Sequence, residues 1–87
     1  MKHKATSEFS NRYKMIGRNL ITYRTAMGMT QDDVADASGI SRSTLSVIES
    51  GKTSFSSDTL FKICRTIQVE PEIIFHYEPL KPPGFKE

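Results

Sequence analysis

TQDDVADASGISRSTLSVIES, residues Thr30 to Ser50, reads as two short helices joined by a tight turn at Gly39. Thr30 is a good N-cap, and Asp32 and Asp33 in the first turn suit the positive end of the helix dipole. That helix runs to about Ser38. Gly39 is expected to take a positive φ, which a residue with a Cβ resists. Ser41 caps the next helix, which continues to about Glu49 or Ser50, and Gly51 closes it. For such a pair to cross and pack, Val34, Ala35, Ile40, Leu45 and Ile48 must face inward, with Ala35 small because the helices cross there. Arg42, Ser43, Ser46 and Val47 are left outward, a polar and small-apolar strip suited to the edges of base pairs. Double-stranded DNA is therefore the first partner to consider.

Upstream, a helical period starts at about Ser7, where Phe9, Tyr13, Ile16, Leu20, Tyr23 and Met27 recur at spacings of three and four. Gly28 ends that helix. Downstream, the loop KTSFSS leads to a fourth helix with Ser57 as its expected cap and Leu60, Ile63, Cys64 and Ile67 as its inward face. Pro71 suits the first position of a short fifth helix, PEIIF, because its missing N–H would be unpaired there anyway. A strand over IIFHYE, with Ile73, Phe75 and Tyr77 on one face, is the competing reading. The expected fold is all-α, a compact five-helix bundle over residues 9–77. A flexible arm at 1–8 precedes it, and an extended or disordered proline-rich tail, EPLKPPGFKE, follows at 78–87.

The chain has 87 residues, one small domain, and such a chain buries only about 60% of the surface its unfolded form exposes. Its margin of stability is thin, so dimerisation would help it. No apolar run approaches the roughly 20 residues needed to span a bilayer, and the N-terminal stretch MKHKATSEFS lacks the apolar centre of a signal peptide. The single Cys64 cannot form an internal disulfide, and the cytoplasm is the default location. The net charge of +2 says less than its distribution. Lys2, Lys4, Arg12, Lys14, Arg18 and Arg24 precede the quoted stretch with Glu8 as the lone acid among them, a pattern that suits one basic edge laid along phosphates.

Ile16 through Phe75, IGRNLITYRTAMGMTQDDVADASGISRSTLSVIESGKTSFSSDTLFKICRTIQVEPEIIF, resembles the phage lambda repressor and Cro-like (XRE-type) helix-turn-helix family. The entry G-M-T-Q, Ala35, Gly39, the exit I-E-x-G-K and the following TLFKICRTI each fall at that family's spacing. The resemblance implies a DNA-binding domain whose third helix reads base edges with Arg42, Ser43, Ser46 and Val47. It also implies phosphate contacts from Gln31, Ser41, Thr44, Ser50 and Lys52. Arg24 and Glu49 match positions that form an ion pair between the first helix and the end of the third. Phe55, Ser57 and Gln68 depart from the pattern, which often carries proline, an apolar residue and glycine there.

One such module contacts too few base pairs to be selective, so paired half-sites are expected. Ile73, Ile74, Phe75 and Tyr77 form an apolar set suited to a homodimer interface, with an inverted-repeat operator as the corollary. Lys2, His3 and Lys4 are candidates for an arm touching phosphate or the minor groove. No phosphate loop, metal-ligand spacing or catalytic pairing is recognisable; neither an enzyme nor a cofactor or metal is expected, nor a small-molecule ligand. The competing function is that of an antitoxin which masks a partner toxin while repressing its own operon, with the tail and Phe85 as a conceivable partner segment.

Overall fold

Residues 8–76 are described by the computed structural model, and among them the chain forms α1 (Ser10–Ala26), α2 (Gln31–Ser38), α3 (Arg42–Glu49), α4 (Ser57–Ile67) and α5 (Pro71–Ile74), with no strand. The all-α, five-helix expectation holds. The expected arm, apart from Glu8, lies outside the described residues, as do Tyr77 and the tail.

Local chemistry sets the boundaries. Thr30 and Asp33 form a reciprocal capping box: the Asp33 N–H donates to Thr30 Oγ1 at 3.0 Å, and the Thr30 N–H donates to Asp33 Oδ2 at 2.9 Å. Hydrogen bonding to the Asp33 carboxylate, first from the Thr30 backbone N–H and then from the Thr30 side chain, holds Asp33 below its ordinary value of 3.8. Gly39 ends α2 at φ 77°, left-handed as expected. Ser41 starts α3 by accepting from the Thr44 N–H at 3.0 Å. For α4 the expectation needs correction. Ser56, not Ser57, is the cap, because it keeps extended backbone and its Oγ accepts from the Thr59 N–H at 3.1 Å. Ser57 is already the first helical residue. Gln68 stands at φ 60° just past α4, a left-handed site that costs a residue with a Cβ roughly 1–2 kcal/mol. Pro71 opens α5 in helical form, and the strand alternative falls away.

Leu20 on α1, Val34 on α2, Leu45 and Ile48 on α3, Leu60, Ile63 and Ile67 on α4 and Ile74 on α5 share one buried core. The apolar period of α1 overstates its buried face. Ile16 and Leu20 are buried and Tyr13 and Tyr23 half-buried, but Phe9 and Met27, at the helix ends, are about half exposed. Phe55 packs edge-on against Tyr13 with ring centroids 5.6 Å apart. Asn19, which no apolar period could mark, is buried and donates from Nδ2 to the carbonyls of Ile74 at 2.9 Å and His76 at 3.1 Å. It ties α1 to the end of α5. Burial, with a smaller contribution from Glu70, pushes the Cys64 thiol up to about 11, so it stays neutral within the core.

Gly17 lets α1 lie directly on the end of α3. A Cβ at Gly17 would overlap the carbonyl oxygens of Glu49 and Ile48, and one at Gly51 would strike the backbone of Lys14. Because the obstruction is backbone, no side-chain rotation relieves it.

Gly17→Ala should therefore lower unfolding stability by about 1–3 kcal/mol, although alanine favours a helix, as denaturant unfolding will show. Acid gives a second test. Asp33 takes up its proton at higher pH in the unfolded chain than in the folded one. The capping box thus stabilises fully above about pH 5, and that contribution is lost as pH falls through the depressed folded value. Urea unfolding followed from pH 6 to pH 3 should show a shallower acid loss in Asp33→Asn than in the parent (about the span over which such a carboxyl titrates).

Candidate nucleic-acid interface

Two turns of helix are divided sharply in α3. Leu45, Ile48 and Glu49 are buried, while Arg42, Ser43, Ser46 and Val47 are exposed on the opposite side. All four outward residues line a single open hollow of about 280 Å³. Val47 is 42% exposed, an apolar side chain left in water on the outward side of α3. The strip read from sequence is thus one continuous surface, held from behind by the core.

The depth and tilt of that surface depend on Glu49. Its carboxylate receives Arg24 as a fork, Nε to Oε2 at 2.7 Å and Nη2 to Oε1 at 3.0 Å, while Arg24 Nη1 donates to the Met29 carbonyl at 2.9 Å. The Arg24 and Glu49 side chains are only 13% and 3% exposed. A buried, bidentate pair of this kind fixes geometry better than it adds net stability. The expected ion pair is present in full. Its presence also corrects the charge reading: Arg24 is engaged with Glu49 and does not contribute to an outward basic edge. Lys14, by contrast, lies exposed against Gly51, next to Lys52 at the end of α3.

A third partner joins the pair. Gln31 Nε2 donates to Glu49 Oε1 at 2.9 Å, so the first residue of α2 is tied to the last residue of α3. Gln31 keeps its backbone N–H at a helix start, where no intrahelical acceptor exists. The other residues expected at phosphates flank α3 at both ends. Ser41 donates to Thr44 Oγ1 at 2.8 Å, Ser50 donates to the Val47 carbonyl at 2.8 Å, and Lys52 is exposed beyond them.

Sequence reasoning also missed a contact on the exposed side. Asp32 Oδ1 stands 3.3 Å from Arg42 Nε, an exposed ion pair between the start of α2 and the start of α3. The apolar set expected at a dimer surface also divides. Ile73 and Phe75 are exposed, but Ile74 is fully buried and belongs to the core of its own chain. On one turn of helix, neighbouring side chains diverge by about 100°, so these three cannot share a face. Tyr77 lies outside the described residues.

The helix-turn-helix family model matches residues 20–74. The chain belongs to this family. The lambda repressor-like resemblance read from the motif spacing holds. An HTH-type transcriptional regulator of Methanocaldococcus jannaschii is 43% identical over 56 residues, covering 64% of this chain and 85% of the relative. Among solved structures, the restriction-modification controller protein C.AhdI from Aeromonas hydrophila superposes with a TM-score of 0.70 at 30% identity, over 72% of this chain and 96% of that one. The clp gene regulator ClgR from Corynebacterium glutamicum gives a TM-score of 0.69 at 27% identity, over 71% of this chain and 66% of that one. This helix-turn-helix family consists of DNA-binding transcriptional regulators, not enzymes. Among the described residues, no helix is long and apolar enough to cross a membrane.

Replacing Glu49 by Gln strands the Arg24 guanidinium and should cost this helix-turn-helix domain about 3 kcal/mol of unfolding free energy. Arg24→Met combined with Glu49→Leu should cost less than that single change in the same denaturant titration.

Proposed function

We propose that this helix-turn-helix protein is a homodimeric repressor that reads a palindromic operator, with α3 lying in the major groove. The observation that carries the reading is the outward strip of α3, Arg42, Ser43, Ser46 and Val47, lining one hollow while the opposite side of the helix is locked to the core. A surface of fixed height is what base readout needs, because hydrogen bonds to base edges tolerate little displacement.

Arg42 donates to O6 and N7 of a guanine, Ser43 and Ser46 make less selective hydroxyl contacts, and Val47 meets a thymine methyl. Gln31, Ser41, Thr44, Ser50 and Lys52 hold the backbone of the duplex and set the register, supported by the starts of α2 and α3. Lys14, packed against Gly51, adds positive charge on that margin. Dimerisation uses the side of the exposed Phe75 at the end of α5, and brings two copies of α3 onto half-sites one helical turn apart. Occupying promoter DNA is enough to repress, so the role requires no surface beyond these. The single unpaired Cys64 accords with action in the cytoplasm. Both structural neighbours are named for regulation, one a restriction-modification controller and the other a clp gene regulator, and control of transcription is the part carried over.

Selection of bound sequences from a random duplex pool at physiological salt should return an inverted repeat with a guanine in each half-site. Arg42→Ala should then weaken binding by roughly 1–3 kcal/mol and flatten the preference at one base pair per half-site. Equal weakening on every sequence would make Arg42 a phosphate contact instead. Sedimentation should show a dimer on the operator; a strict monomer at micromolar concentration, with and without operator, would remove the homodimer from the reading.

A further inference from the structure

We propose that Asp32 is the positioning residue for base recognition, its carboxylate holding the Nε edge of Arg42 so that the terminal nitrogens are kept for guanine. The proposal rests on the reading above, in which Arg42 addresses a base edge.

Four observations lead to it. Asp32 Oδ1 lies 3.3 Å from Arg42 Nε with the two side chains 74% and 64% exposed, a setting in which an ion pair adds almost nothing to folding stability. Neither residue is needed as a cap: Thr30 and Asp33 close the start of α2, and Ser41 closes the start of α3 through the Thr44 N–H. Arg42 is the first residue of α3, where the positive end of the helix dipole opposes a cation, and Asp32 supplies the compensating charge. Among the described residues, Asp32 is the ionic partner of Arg42, and the closest approach of the pair is at Nε, the edge of the guanidinium away from its fork.

The chemistry follows from the guanidinium's shape. Its donors form a rigid planar fork, but the stem that carries it is flexible and loses much rotamer freedom when bound. An unrestrained Arg42 at the rim of α3 would reach backbone phosphate as readily as a base, and phosphate attraction carries no sequence information. Binding DNA excludes water from this exposed pair and strengthens it, so the Asp32 carboxylate orients the fork chiefly in the complex. Guanine then matches the two Nη donors with O6 and N7, whereas adenine presents an amino group in place of one acceptor. Asp32 therefore acts through Arg42 on selectivity and touches no base itself.

The full chain is tested on duplexes from the random-pool selection. Arg42→Ala first identifies the base pair that Arg42 reads, and every variant is then titrated against all four base pairs at that position. Asp32→Asn should reduce the preference for guanine there by roughly 3- to 10-fold, with affinity for unrelated duplex equal or higher and the unfolding midpoint little changed. Asp32→Glu should keep part of the preference, since it restores the charge. In an Arg42→Ala background, Asp32→Asn should alter base preference no further. The proposal is overturned if Asp32→Asn changes binding by one common factor on all four base pairs, which would reduce Asp32 to a general repulsive charge. If Arg42→Ala flattens no position at all, it is the base-reading role of Arg42 that fails, and the role of Asp32 falls with it.

Discussion

The Glu49 carboxylate joins three helices at a point with almost no access to water. Arg24 on α1 grips both oxygens, Gln31 at the start of α2 donates to one of them, and Glu49 itself is the last residue of α3. Removing charge from water in this way is expensive, and the geometry offsets the cost only because Oε1 and Oε2 are both engaged and Arg24 also reaches the Met29 carbonyl. An apolar cluster could hold the helices together as firmly. The directional hydrogen bonds add a preference for one registration of α3 relative to α1 and α2. Gly17 does the same job through contact, since the end of α3 sits where any side chain on α1 would intrude.

Function in the proposed reading depends on that registration. The core side of α3 is committed to Leu45, Ile48 and Glu49, so its other side cannot rotate or sink without breaking buried contacts. Gln31 belongs to both systems: its side chain completes the buried network, and its backbone sits at the helix start offered to phosphate. In that reading, binding DNA and holding α3 in place are coupled through one residue. On the exposed side, Asp32 of α2 forms an ion pair with Arg42 of α3.

What the sequence made legible was mostly local. The Thr30 and Ser41 caps, the left-handed Gly39 and the proline start of α5 each depend on neighbours within four residues, and each appears as read. Ser56 and Ser57 show the limit of such reasoning: either serine can cap, and the choice falls to the one whose backbone stays extended. Ile73, Ile74 and Phe75 could not be sorted because a four-residue helix has no period to reveal its inward side. Arg24 with Glu49 was reachable through family resemblance alone, since the two residues stand 25 apart. Asn19 with Ile74 is 55 apart and Gln31 with Glu49 is 18 apart; these pairings are products of how the helices cross, which no periodicity encodes. Gly17 did carry a signal, a glycine in mid-helix where alanine would serve the helix better, and the close approach explains it.

The most direct test of the central claim is a titration of isotopically labelled protein with its selected duplex, followed by amide chemical shifts. The largest changes are expected at Gln31, along Ser41 to Val47 and at Lys52, with the core of α4 little affected. Changes centred on Phe9, Phe61 and Phe75, with α3 unmoved, would contradict it.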